Sequence, residues 1–332
     1  MNPRISVALG QALYKPGETV AGYVLIEVSE AFSFSEVVLK WRGKQTSTIK
    51  RTVSEGKKTR TESFEGLEYL FRQEQMVLSG AGGNKLTPGQ HRFDFSFILP
   101  ANLPSSYRKW DINGEGSSLA YDIKAEIRSS SFFKSDLVER REFTVHSVVM
   151  ANAVPASRHS YDEPNSFFCC GSRGAISWRM ELPRDEWQVG EVITGIIRVD
   201  ASQCKAPIRG LQLELKSIYK VGASSYYKDF YDSHGTNQLL HRIDPHAIIE
   251  APFSFPIESN QMPTLNSLLA SYSYQLEASL DIPGSFNPTL SVPVKIRSVL
   301  LLGQTVTLAT YVPAQVVDEK SQPSAPPAYS SL

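Results

Sequence analysis

Apolar residues recur at every second position along this chain, in short runs broken by turn residues, and few folds accommodate that pattern. Ile5, Val7 and Leu9 alternate, as do Phe93, Phe95, Phe97 and Leu99. Tyr121, Ile123, Ala125 and Ile127 repeat the pattern, and Val20 to Val28 gives another run. A strand sends successive side chains to opposite faces, so each run describes a strand with one face in a core. Lys15-Pro16-Gly17, Thr87-Pro88-Gly89 and Leu99-Pro100 supply turns between them. No stretch carries a long, capped helical period, so little helix is expected. Many short strands punctuated by Gly and Pro predict β-sandwiches.

The second half repeats the first. Pro16-Gly17-Glu18 ahead of a β-rich run returns as Val189-Gly190-Glu191 ahead of Val192 to Ile197. The Phe93 to Pro100 strand has a counterpart in Phe253-Ser-Phe-Pro256, with Phe93 set against Phe253. Leu119 to Ala125 is echoed by Tyr272 to Ala278. The order is kept while the offset shrinks, as expected of two related domains whose later loops differ in length. At 332 residues the chain holds two domains of about 150 residues, each large enough for its own core. We expect sandwiches over 1–150 and 175–312. Residues 151–174 should be a linker, where alternation fails and Pro, Ser and Gly gather. Residues 313–332, rich in Pro and Ser and poor in core formers, should form a disordered tail.

Composition enters as a set of exclusions. Lys plus Arg at 34 equals Asp plus Glu at 34, so nothing suggests a nucleic-acid binder, which needs a basic surplus. Three cysteines, Cys169, Cys170 and Cys204, make no disulfide framework and fit a reducing, cytoplasmic setting. The N-terminus lacks the apolar core of a signal peptide. Val299 to Val312 is interrupted by Gly303, Gln304 and several Thr, which suits a closing strand or hairpin better than a bilayer span.

Specific residues then point to a family. Tyr14-Lys-Pro-Gly-Glu18 precedes a Gly-Tyr-Val strand, and Pro88-Gly-Gln-His-x-Phe-x-Phe-x-Phe-x-Leu-Pro100 follows. Next come Asn102-Leu-Pro-Ser-Ser-Tyr107 and Leu119-x-Tyr121-x-Ile-Lys-Ala125. In order and spacing this resembles the arrestin N-domain. The second half is similar to the arrestin C-domain through Gly174-x-Ile176, Val189-Gly-Glu191, Phe253-x-Phe-Pro-Ile257 and Val292-Pro-Val-x-Ile296. Paired cysteines after Phe167-Phe168, together with the tail, resemble the α-arrestins. The resemblance implies an all-β chain of two tandem Ig-like β-sandwich domains with a disordered tail. It further implies a non-catalytic adaptor linking membrane-protein cargo to WW-domain HECT ubiquitin ligases. No buried polar core is evident in the sequence.

The tail carries the motifs. In Pro326-Pro327-Ala328-Tyr329 the adjacent prolines favour a preformed polyproline II helix, so docking in an aromatic WW groove costs little ordering entropy. Pro323-Ser324-Ala325-Pro326 resembles the extended peptide bound by ESCRT-I. Pro326 belongs to both motifs, so the two partners should compete for one tail. Cys169 and Cys170 are candidates for S-acylation, which would give peripheral membrane association when joined by a second signal. No metal site is expected, since Cys204 stands alone and no Cys-x-x-Cys spacing exists.

Other features carry less. Lys50-Arg51, Lys57-Lys58 and Arg60 read as a basic, solvated loop. Gly80-Ala-Gly-Gly-Asn-Lys85 lacks the Ser or Thr of a phosphate loop, because Leu86 stands there. The six histidines fall in no ligand or triad spacing, and no nucleophile elbow occurs, so neither enzyme nor cofactor is expected. Three functions are therefore weighed. The first is the adaptor, recruited to plasma membrane and endosomes. The second is a retromer-like sorting scaffold without ligase recruitment. The third is an enzyme on a sandwich scaffold, which would need a pocket of converging polar groups.

Overall fold

The computed structural model describes residues 3–56, 58–80, 85–129, 136–147, 154–162 and 174–298. Every named element among them is a strand. The first half contains β1 (Arg4–Leu9), β2 (Leu13–Tyr14), β3 (Thr19–Val28), β4 (Phe32–Glu55) and β5 (Lys58–Ser79). It continues with β6 (Lys85–Leu86), β7 (Gly89–Ile98), β8 (Tyr107–Trp110), β9 (Gly116–Ser129) and β10 (Leu137–Val145). The second half contains β11 (Ala156–Asp162), β12 (Ile176–Leu182), β13 (Glu186–Gln188), β14 (Val192–Asp200) and β15 (Gly210–Ala223). It ends with β16 (Tyr226–Leu240), β17 (Ile248–Pro256), β18 (Leu265–Asn266), β19 (Ala270–Asp281) and β20 (Thr289–Arg297).

These strands build two sandwiches. In the first, a sheet ordered β1-β3-β7 faces a sheet ordered β2-β10-β9-β4-β5, to which β6 and β8 add. In the second, β11-β12-β14-β17 faces β13-β20-β19-β15-β16, with β18 added on β19. The alternation works as the sequence suggests: Val20, Val24 and Ile26 of β3 and Ile123, Ala125 and Ile127 of β9 point inward and are buried. The second core repeats this with Ile193, Ile197 and Val199 of β14 and Leu276, Ala278 and Leu280 of β19. Each large aliphatic side chain so buried contributes about 1.5–3 kcal/mol to holding its sandwich together.

Duplication extends to single hydrogen bonds. Gly17 and Gly190 both take positive φ, 80° and 82°, which glycine tolerates best. In each turn the following glutamate caps the same backbone donor: Glu18 accepts from Lys15 N and Glu191 from Gln188 N, both at 2.8 Å. Leu99 N donates to Glu18 O at 2.9 Å, and Ile257 N donates to Glu191 O at 2.8 Å. Those bonds correct the sequence register. Leu99 answers Ile257, so Phe95 and Phe97, not Phe93, are the counterparts of Phe253 and Phe255. The ladders agree, setting Gly22 opposite Phe95 and Gly195 opposite Phe253. Three phenylalanines spaced by two look alike to a pattern search; only the hydrogen bonds fix which is which.

The basic segment is a second correction. Lys50, Arg51, Lys58 and Arg60 belong to the paired ends of β4 and β5, with Arg51 opposite Glu62 and Val53 opposite Arg60. It is a hairpin, not a loop. Lys50 Nζ donates to Asn113 O at 2.6 Å, Arg60 pairs with Glu62, and Arg51 lies over the Tyr226 ring of the second sandwich. Lys85 and Leu86 form β6 against Ser33 and Phe32. Residues 299–312, expected as a closing strand, lie outside the described residues.

Candidate functional site

The inward face of β4 changes character along its length. Val37, Leu39 and Trp41 sit in the first core. Continuing with period two, Gln45 and Ser47 are buried but polar, and Ile49 joins the core of the second sandwich. The strand thus runs out of its own domain and onto the other. Ser117 marks the same departure on β9, lying opposite Ser47 and fully buried. From the other side, β15 replaces leucine with Ser217 and Tyr219, and β19 presents Tyr272 and Tyr274. Buried polar groups survive only when hydrogen-bonded, so these residues must satisfy one another.

They do so across the seam. Gln45 Nε2 donates to Tyr107 Oη at 2.7 Å and to Ser267 Oγ at 2.8 Å, while Gln45 Oε1 accepts from Leu269 N at 3.2 Å. Tyr107 and Ser117 share a bond of 2.7 Å, and Ser117 reaches Tyr219 at 2.8 Å. Ser47 Oγ donates to Gly222 O. Behind this line, Ser217 Oγ bonds to Tyr272 Oη at 2.9 Å and to His234 Nε2 at 2.7 Å. Burial lowers the His234 pKa below its ordinary value, against the opposing pull of Asp232, and burial raises that of Tyr219.

Charges close the rim. Glu115, nearly buried, accepts from Lys228 Nζ at 2.6 and 2.8 Å and from Lys50 N. Lys109 of β8 places its ammonium 5.1 Å from the Tyr272 ring centroid and 5.6 Å from that of Tyr219, and 3.3 Å from Asp232. A cation held over two aromatic faces and a carboxylate is a favourable latch.

At another margin of the seam lies a cleft of about 620 Å³. Its walls are equivalent segments of the two sandwiches, residues 101–107 and 262–266, together with His146 and Ser147 after β10 and the end of β20. Tyr121 Oη donates to Pro104 O at 2.7 Å, and its counterpart Tyr274 donates to Met262 O. Ser106 N donates to Val145 O at 2.8 Å and Thr264 N to Ile296 O at 2.7 Å. His146 Nε2 and Ser298 Oγ meet at 3.0 Å, joining the residues that directly follow β10 and β20. Burial and Lys15 lower the His146 pKa.

The predicted site residues stand elsewhere. Pro323, Ser324, Ala325, Pro326, Pro327 and Tyr329, like Cys169 and Cys170, lie outside the described residues. Cys204 is buried in the second core, donating to Ala206 O. No cluster able to hold a metal occurs among the described residues, and among them there is no helix long and apolar enough to cross a membrane. The polar seam escaped sequence reasoning. Its signal was present as polar residues at core-facing parity: Gln45 and Ser47 after Trp41, Ser117 before Leu119, Ser217 after Leu215.

Comparison with known proteins bears on the first half above all. The family described as Arrestin (or S-antigen), N-terminal domain, matches residues 4–152. Arrestin domain-containing protein 17 of Caenorhabditis elegans is 26% identical over 62% of this chain and 49% of its own. Arrestin domain-containing protein A of Dictyostelium discoideum is 23% identical over 91% of this chain and 52% of its own. Mouse Arrestin domain-containing protein 4 is 29% identical over 54% of this chain and 44% of its own. The chain spans about half the length of these curated relatives. The first half thus matches the arrestin N-terminal domain, and the chain is similar to arrestin domain-containing, or α-arrestin, proteins.

Proposed function

We propose that this chain is a non-catalytic trafficking adaptor: the paired sandwiches engage membrane-protein cargo, and the tail delivers it to a WW-domain HECT ubiquitin ligase. The observation that carries the proposal is Pro326-Pro327-Ala328-Tyr329 following an arrestin fold. In the WW groove the proline pair stacks between aromatic rings and Tyr329 enters the neighbouring pocket. The ligase supplies the chemistry. The 28 residues from Ser298 to Pro326 can span at most about 100 Å, so a bound ligase works within that radius of the seam. Pro323-Ser324-Ala325-Pro326 extends the proposal to ESCRT-I, competing through Pro326. Cys169 and Cys170 supply S-acylation for peripheral membrane association, with the protein cytoplasmic and recruited to plasma membrane and endosomes.

The test compares partners captured by the intact chain and by Tyr329→Ala. Loss of WW-domain ligases with retention of cargo supports the adaptor. An unchanged partner set contradicts ligase recruitment and favours a retromer-like scaffold.

A further inference from the structure

We infer that the free edge of β7 is a strand-addition site, which takes one extended, uncharged peptide of a partner protein with apolar side chains at every second residue. Such a site is independent of the motifs in the tail.

The duplication shows which edge is open. Leu99 N donates to Glu18 O, so the odd residues of β7 turn their backbone groups toward β3 and the even ones turn theirs outward. β7 ends its sheet. Among the described residues no hydrogen bond reaches the outward backbone groups of Arg92, Asp94, Ser96 and Ile98. In the second sandwich the same edge is shut. Pro252 and Pro256 of β17 stand where β7 has Asp94 and Ile98, in the register that matches Phe253 to Phe95, and proline has no N–H to offer. Ser254 O, the counterpart of Ser96 O, accepts from Asn237 Nδ2 of β16 at 3.1 Å. An unpaired strand edge is a template for another strand, and here one copy is blunted at three points where the other is bare.

The space beside the edge has the width of one strand. β7 lies over β4, with Phe97 stacked on Trp41 at 4.6 Å between ring centroids. No described strand lies over β5, the next in the facing sheet. Its Gln73 and Gln75 share the inward face with Trp41 and Leu39 yet are exposed, and Phe71 is only half-buried. A strand paired to β7 sits above β5 and covers Phe71 together with the flanks of Phe93 and Phe95, which are half-buried too. Those rings call for apolar side chains at the inward positions of the peptide. On the solvent face Arg92 and Asp94 neutralise each other at 2.8 Å, so no surplus charge selects an acidic or phosphorylated segment. A second copy of the chain would bring its own β5 into the same shelf, which leaves a single strand as the occupant.

The experiment selects ten-residue peptides from a phage-displayed library on the full chain, with depletion on the double variant Asp94→Pro, Ile98→Pro, which copies the blunting of β17. Recovered peptides should alternate apolar and polar residues, carry no net negative charge and bind the variant at least about tenfold more weakly. A second measurement needs no variant: hydrogen exchange on the unaltered chain, where the bound peptide should slow the amides of Arg92, Asp94 and Ser96 at least about tenfold. Failure to recover alternating peptides, enrichment of acidic ones, or protection confined to other strands overturns the inference. So does a dimer of the chain that dissociates in the variant, because the edge would then belong to a second copy.

Discussion

Tyr121 and Tyr274 do the same work in the two halves, each donating from a buried phenol to a carbonyl on a cleft wall. Removing one hydroxyl leaves that carbonyl without its donor. Tyr274→Phe should therefore cost about 1–3 kcal/mol, read as a lower denaturation midpoint in urea, and Tyr121→Phe should do the same. His234 and His146 make stability depend on pH. Burial holds both below the ordinary value of 6.5. The folded state prefers the neutral rings while the unfolded state binds protons, so their contribution is complete above pH 6.5. It is lost as pH falls from 6.5 toward the folded values. For His234, Asp232 and Glu258 oppose the shift and Lys109 reinforces it. His234→Gln should flatten the stability slope below pH 6.5 without altering it at pH 8. An unchanged slope would remove His234 from the account.

Among the strands, β3 and β14 show how closely the halves agree. A methyl at Gly22 would fall 2.1 Å from Ala8 O and 2.8 Å from the Phe95 ring. At Gly195 it would fall 2.5 Å from Glu181 O and 2.6 Å from Phe253. Each glycine leaves the space that a phenylalanine ring from the neighbouring strand occupies. Gly22→Ala and Gly195→Ala should each cost about 1–3 kcal/mol through overpacking, measured by thermal unfolding, with Gly22→Ala the worse because its backbone clash is the closer of the two. Strands of this kind were legible in the sequence because their alternation is local. What β4 does beyond Trp41 was not. A polar residue at a core-facing position resembles the end of a strand unless the covering surface is known, and here that surface is another domain. The same reasoning misplaced Lys50 and Arg51 in a loop, although β4 carries Arg51 to the second sandwich.

For the molecule as a whole, duplication was readable because two copies of a pattern can be compared within one sequence. The seam and the cleft were not, because they arise from how the copies meet: Gln45 and Ser267 are 222 residues apart, with nothing between them to signal contact. Their consequence is cooperativity. Two sandwiches joined by a satisfied network of buried hydroxyls and an amide, with the buried Glu115 paired to a partly exposed Lys228, should unfold as one unit, because separating them strands those groups. Differential scanning calorimetry of the intact chain and of the Gln45→Ala, Ser117→Ala double variant puts this to the test. The intact chain should show a single transition containing both sandwiches, and the variant should split it into two, the first at lower temperature. Two separate transitions in the intact chain, unmoved by the substitutions, would contradict a locked platform.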